Sequence, residues 1–289
     1  MKFVTRFAPS PTGRLHLGHA FSALTAFDAA RAAKGELRLR IEDIDRGRSR
    51  PEFEAAILDD LAWLGLAWRE APLRQSERGD IYAAALDPLR REGLIYRCFK
   101  TRREVLEDIA QAPHMAADGP DGPAYIGAAL PEPEEAALLA DGAPYAWRLS
   151  MAACRDRLGD AWAGLKWAET DASGVETIVS AEPERFGDAV IARKDAGVSY
   201  HLASVIDDAS QGVTCVVRGE DLRPAAHLHR LLQALLNLPA PVYRHHRLIL
   251  NEDGRRLAKR DKAATLGALR EAGATPADIR ARLGLPPAP

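Results

Sequence analysis

Cysteine is scarce: Cys98, Cys154 and Cys215 are the three among 289 residues, more than fifty positions apart and never in a Cys-x-x-Cys pair. That spacing argues against a disulfide framework and makes a reducing cytoplasm the expected location. No secretory leader precedes Phe3, and no apolar run approaches the roughly 20 residues that cross a bilayer, so a soluble chain without a membrane partner is expected. A net charge of −2 and a pI near 6.5 exclude a global polycation. Any nucleic-acid contact must then come from a local basic patch. Neither Gly-x-x-x-x-Gly-Lys-Ser/Thr nor Gly-x-Gly-x-x-Gly occurs, so a bound nucleotide would need other donors.

A basic patch is present. Residues 244 to 262 carry seven lysines and arginines against three acids, with a solvated loop as the plain alternative. The length suffices for a full core in one large domain or two modest ones. Residues 2 to 8 read as a strand that breaks at Pro9-Ser10-Pro11-Thr12-Gly13, where prolines and glycine redirect the chain. An alanine-rich helix is expected from Gly18 to about Lys34. Leu37-Arg38-Leu39-Arg40-Ile41 alternates like a strand and ends in the carboxylates Glu42, Asp43 and Asp45, and Phe53, Ile57, Leu58, Leu61 and Leu64 mark another helix. Strand, helix, strand, helix predicts an α/β fold with a parallel sheet.

From Glu104 to Trp147 no lysine or arginine occurs, while nine acids and ten glycines or prolines do. The composition break predicts an inserted, loop-rich α+β subdomain at about 96–185, with a disordered acidic linker as the alternative. Residues 1–95 and 186–262 would form a discontinuous Rossmann-like catalytic domain, and 263–289 a short C-terminal helical tail. Ala189 to Ala192 and Val213 to Val217 are the expected strands of the second half, followed by a leucine-rich helix from Leu222 to Leu238 that Pro239 stops.

Two short segments carry the chemistry. His16-Leu17-Gly18-His19 sets two imidazoles and a glycine on the opening turn of a helix, where unpaired N–H groups and close backbone approach suit phosphate. Arg256-Leu257-Ala258-Lys259-Arg260 lies 240 residues away and would supply a cation. Each segment is weak alone, since helix capping or packing explains two histidines beside a glycine. Together they make a divided triphosphate clamp, provided the fold joins them.

Arg6-Phe7-Ala8-Pro9-Ser10-Pro11-Thr12-Gly13 with the His-Leu-Gly-His turn resembles the opening of the glutamyl-tRNA synthetases and their glutaminyl relatives, which are class I enzymes. Arg40 to Asp45, Tyr200 to Asp208, Val217 to Leu222 and the lysine loop keep that family's order. The resemblance implies a Rossmann-like sheet split by an insertion that binds the acceptor end of a tRNA in full synthetases. It implies ATP, Mg2+ and L-glutamate as ligands. Arg6, Ala8, Ser10, Glu42, Tyr200 and Arg218 would bind glutamate, with Glu42 on the ammonium and either Arg6 or Arg218 opposite the side-chain carboxylate. His16, Gly18 and His19 would meet the phosphates, Lys259 would swing onto the triphosphate, and Glu220, Asp221 and Leu222 would line the adenosine pocket.

Only 27 residues follow Lys262, which leaves no anticodon-binding domain expected and points to the family's truncated glutamyl-Q branch. That branch activates glutamate without tRNA and transfers it to queuosine in the anticodon stem-loop of tRNA(Asp), here as an expected monomer. Rivals are a truncated glutamyl-tRNA synthetase charging a tRNA 3′ end, a non-catalytic RNA-binding paralogue, and a nucleotidyltransferase sharing the histidine turn. One departure concerns zinc, which the family often holds in the insertion through Cys-x-Cys and Tyr-x-x-x-Cys. Here the places read Cys98-Phe99-Lys100 and Tyr125-Ile126-Gly127-Ala128-Ala129, too few ligands for a four-coordinate site unless His114 contributes. No metal site is expected, and Cys98 is expected to be buried.

Overall fold

The structure, a computed structural model, describes residues 2–111, 118–193, 197–250 and 264–287. The chain begins β1 (Val4–Phe7), α1 (Leu17–Ala32), β2 (Glu36–Ile41), α2 (Pro51–Trp63), β3 (Leu73–Arg74) and α3 (Gly79–Arg91). β1 pairs parallel with β2, and β2 parallel with β3. Small residues bring α1 close to the sheet, because Ala20, Ala23, Ala26 and Ala30 are all buried beneath it.

Next come β4 (Ile95–Cys98), α4 (Arg102–Gln111), the hairpin of β5 (Asp118–Gly119) and β6 (Gly122–Pro123), α5 (Glu132–Ala140), β7 (Ala146–Leu149) and α6 (Met151–Leu158). A second hairpin, β8 (Lys166–Thr170) and β9 (Glu176–Ser180), precedes β10 (Val190–Arg193), β11 (Gly197–Val198) and α7 (Tyr200–Ser210). The chain closes through β12 (Cys215–Gly219), α8 (Ala225–Leu235), β13 (Val242–His246), α9 (Leu266–Glu271) and α10 (Pro276–Arg282).

β12 and β13 pair parallel, and β13 pairs parallel with β8. This second sheet adjoins the first at β1, where Thr214 N donates to Val4 O at 2.9 Å and Val4 N to Thr214 Oγ1 at 2.9 Å. The result is the Rossmann-like α/β architecture expected of the chain, with the carboxyl ends of β1, β2, β12 and β13 facing one crevice, the usual ligand position in such sheets.

The strand pairing crosses the expected boundary at 185, whereas β4, the first strand of the insertion sheet, starts at Ile95 beside the one expected at 96. β8 and β9 fall inside the expected insertion, yet they extend the catalytic sheet beside β13. β10, expected in the catalytic sheet, instead pairs antiparallel with β7 in a separate sheet ordered β11-β10-β7-β4. Both errors arise because composition marks where loops change, whereas pairing is decided by which edge lies open in space. The leucine-rich helix is also shorter than expected. It starts after Pro224, which fixes the N-terminal turn, and Asn237 takes a left-handed φ of 52° just beyond its end.

α7 joins the two halves. Leu202, Val205 and Ile206 share one core with Leu149 and Ile191 of the insertion sheet and Leu228, Leu231 and Leu232 of α8. Its Tyr200 lines the crevice, and behind it Asp207 and Asp208 are buried as acceptors for arginine. Among the described residues no helix is long and apolar enough to cross a membrane.

Candidate active site

A cavity of about 410 Å3 opens at the carboxyl ends of those parallel strands. Its wall contains Arg6, Ala8, Ser10 and Glu42 from the first half, together with Tyr200 and Arg218 from the second. It also contains His16, Gly18, His19, Asp221 and Leu222, so most of the expected site residues share one space. Glu220 does not line it. That carboxylate instead accepts from Leu248 N at 3.3 Å, and Leu248 is the wall residue. Lys259 and the rest of the lysine loop lie outside the described residues. The chain on either side of that loop is at the site: Ile249 lines the cavity, and Thr265 bridges to His16 while Leu266 N donates to Leu15 O at 2.9 Å.

The histidine turn does two things at once. His16 is the N-cap of α1, its Nδ1 accepting from Gly18 N at 3.1 Å, and His19 Nδ1 accepts from His16 N at 3.2 Å. Capping therefore holds both rings, with centroids 3.9 Å apart. Acceptance at Nδ1 places the proton of each neutral ring on Nε2, the donor that a phosphate requires. A side chain at residue 18 would meet His16 Cε1 at 3.0 Å, which explains the glycine.

The arginines divide their work by their partners. Arg6 Nε donates to Asp208 Oδ1 at 3.0 Å and its Nη1 to Val217 O at 3.3 Å. Arg40 is fully buried, donating to the same Asp208 oxygen at 2.6 Å and to Glu42 Oε1 at 3.2 Å. Two cations and two carboxylates thus balance inside the protein. Burial works against the Asp208 charge, but Arg6 and Arg40 outweigh it and hold its pKa below the usual range. Burial raises the Glu42 carboxyl, against the pull of Arg40 and Arg6.

Arg218 differs. It is 3% exposed, yet among the described residues no carboxylate pairs with it, and its Nη2 has no hydrogen-bond partner. Its acceptors are neutral: His245 Nε2 at 3.3 Å, Tyr200 Oη at 3.4 Å and His229 Nδ1 at 3.4 Å, with its guanidinium 5.0 Å from the Tyr243 ring centre. Burial, then the Arg218 charge, lowers His245 to about 4 and drives His229 well below the usual imidazole range. A buried cation surrounded by neutral groups is costly until an anion arrives, so this is where a substrate carboxylate gains most.

Four contributors had little sequence signal. His245 and His229 are 27 and 11 positions from Arg218 and sit in no quoted motif. Asp208 closes the motif that begins at Tyr200, but its role as the shared partner of Arg6 and Arg40 needed the tertiary contact. Arg247 was visible only as part of a basic patch. It packs 4.7 Å from the Phe21 ring centre and donates to Leu283 O at 2.8 Å on the cavity wall.

Of the possible zinc ligands, Cys98 and Tyr125 are the two among the described residues, close enough to act on one another electrostatically. Cys98 is buried, but the Lys100 ammonium pairs with Asp108 and lies close enough to Tyr125 and Cys98 for their charges to act on it. Its position beside both candidate ligands is unfavourable for a divalent cation. Among the described residues no three His, Cys, Asp or Glu side chains converge, and His114 lies outside them.

Residues 2–286 match the family model for the catalytic domain of class I tRNA synthetases (E and Q). The chain is 49% identical over 288 residues to a Rhodobacter capsulatus protein named glutamyl-Q tRNA(Asp) synthetase, covering 98% of this chain and 100% of that one. A protein of the same name from Symbiobacterium thermophilum is 41% identical over 288 residues, covering 95% and 83%. Among solved structures, a glutamate tRNA ligase from Elizabethkingia meningosepticum in complex with its amino acid aligns with a TM-score of 0.74 at 31% identity, covering 96% of this chain and 59% of that one. A sheet that gathers its site at the carboxyl strand ends, a histidine turn on α1 and a matching family model lead to one statement: the chain belongs to the class I tRNA synthetases of the E and Q group.

Proposed function

We propose that this protein is a ligase that activates L-glutamate with ATP, without needing tRNA, and then transfers the glutamyl group to queuosine in the anticodon of tRNA(Asp). The observation that carries the glutamate half is Arg218, a buried cation on the wall of the cavity that holds the histidine turn, with no carboxylate partner among the described residues. Arg6 is committed to Asp208, which leaves Arg218 for the substrate side-chain carboxylate. Glu42 faces the same cavity and would meet the ammonium group, while Ala8, Ser10 and Tyr200 shape the walls. Support for the acceptor comes from the relatives of Rhodobacter capsulatus and Symbiobacterium thermophilum, whose names specify tRNA(Asp).

In activation a glutamate α-carboxylate oxygen bonds to the α-phosphorus of ATP, and the bond from that phosphorus to pyrophosphate breaks. No protein nucleophile takes part. The protein's task is positioning and stabilisation of phosphate charge, assigned to His16, His19 and Lys259, with the open backbone at Gly18 and with Asp221 and Leu222 on the nucleoside side. Mg2+ would accompany the phosphates as part of the bound nucleotide. In transfer, the acceptor hydroxyl oxygen bonds to the glutamyl carbonyl carbon, AMP leaves with the former anhydride oxygen, and the hydroxyl proton is lost.

Glutamate-dependent exchange of pyrophosphate into ATP, run without RNA, tests the first half. Lys259→Ala is expected to slow it on the order of 10²–10³-fold with ATP affinity largely kept. Arg218→Gln is expected to raise the glutamate KM on the order of 100-fold, since a charge-assisted contact of about 3 kcal/mol is lost. Labelled glutamate should then reach queuosine-bearing tRNA(Asp), and neither unmodified tRNA(Asp) nor the 3′ end of tRNA(Glu). Label on tRNA(Glu) would assign the truncated charging enzyme, and an absence of exchange would assign a non-catalytic RNA binder.

A further inference from the structure

A second, larger cavity of about 1020 Å3 shares Ser10, Glu42 and Tyr200 with the first, so the two meet at the amino-acid end of the site. Asp121 and His201 line this larger space and also a neighbouring one of about 510 Å3, forming the seam between them. Asp121 sits in the turn between β5 and β6, and one of its oxygens, Oδ2, meets His201 Nε2 at 2.8 Å. Its other oxygen has no hydrogen bond among the described residues. The Asp121 side chain is 64% exposed while the His201 side chain is 11% exposed. The imidazole is thus a buried anchor and the carboxylate the accessible group.

The proton order of this contact is dictated from the glutamate cavity. Arg218 is only a donor, so His229 Nδ1 accepts from it and carries its proton on Nε2. That proton points at His201 Nδ1, 3.2 Å away, which then carries its own proton on Nε2, facing Asp121. Each bond in the row Arg218, His229, His201, Asp121 therefore donates outward and ends on a carboxylate. His201 holds Asp121 ionised and oriented, and the hydrogen bond from His201 lowers its pKa.

We propose that Asp121 is the contact for the acceptor in the transfer step, taking hydrogen bonds from a vicinal pair of hydroxyls on the RNA as it enters the larger cavity. A carboxylate with a spare oxygen on the wall of the cavity that meets the amino-acid end of the site fits a cis-diol because it can accept from both hydroxyls and orient them. Two sources carry that chemistry, the cyclopentenediol of queuosine and the terminal ribose of a tRNA. The inference rests on the synthetase reading of the site, and His201 acts through Asp121 as a positioning residue.

Single-turnover transfer and pyrophosphate exchange measured on the same preparations test it, with queuosine-bearing tRNA(Asp) and with tRNA(Glu). Asp121→Asn keeps the shape and can still accept from His201, so loss of its charge is what is read. The ratio of transfer to exchange is expected to fall on the order of 10- to 100-fold. Asp121→Glu should recover part of it, and His201→Gln should show a smaller loss. A wild-type ratio in Asp121→Asn, or exchange falling as far as transfer, would overturn the assignment. Should the wild-type protein transfer to tRNA(Glu) and the variant lose that activity, the queuosine reading fails while Asp121 keeps its role. Transfer to neither RNA removes both.

Discussion

The site depends on a residue-level imbalance of charge. Arg6 and Arg40 are neutralised by Asp208 and Glu42, whereas among the described residues Arg218 meets imidazoles that stay uncharged and no carboxylate. His245 separates it from Glu169: its Nδ1 meets Glu169 Oε1 at 2.7 Å and its Nε2 accepts from Arg218. A histidine lowered to about 4 in the folded state binds its proton first when unfolded, near 6.5. Between those values the unfolded chain holds more protons, so stability is complete above about 6.5 and is lost as pH falls toward 4. The loss from this one group is at most about 3 kcal/mol. Thermal unfolding followed from pH 7 to pH 5 should show a falling Tm, with a shallower fall in His245→Gln. Parallel curves for the two proteins would contradict the assignment.

At the scale of elements, α7 decides the geometry. Its first turn brings Tyr200 and His201 to the two cavities, and its last turns bury Asp207 and Asp208. Asp207 accepts from Gln75 Nε2 at 2.7 Å, Arg78 Nε at 2.7 Å and Tyr82 Oη at 2.8 Å, tying α3 to α7. Removing that acceptor strands a half-buried cation, Arg78, and two buried donors, Gln75 and Tyr82. Asp207→Ala is expected to cost about 3–5 kcal/mol in urea unfolding, and a loss below 1 kcal/mol would mean that α3 is held by its apolar contacts instead. The period-two pattern of β2 shows how far a local reading reaches. Alternation predicted the strand but carried no information on its partners, and Arg40 is fully buried with Asp208 of α7 opposite it.

Across the whole molecule, the two ends of the chain support one another. α9 and α10 close over α1, with Leu266, Ile279 and Leu283 in the same core as Ala20 and Leu24. Thr265 bridges to His16, so this packing also braces the histidine turn. Leu266→Ala should cost about 2–5 kcal/mol of stability and raise the KM for ATP in the exchange reaction. An unchanged KM would show that the turn is held by its own capping bonds alone. The insertion is likewise part of the body, since its sheet shares a core with α7 and α8.

Much of this was legible in the residues. The first strands and helices followed from periodicity and from Pro9 to Gly13, because those signals are local and each element's backbone responds to its own sequence. The histidine turn, Arg6, Glu42, Tyr200 and Arg218 could be named because they stand in compact motifs, and the structure brings all of them to one cavity. What the residues alone could not decide was partnership. Which arginine is neutralised, which strands continue which sheet and which histidines surround Arg218 depend on contacts between positions from 11 to more than 200 apart. Those contacts are selected by burial and charge balance in three dimensions, where the cost of an unpaired group is set by what the fold places beside it.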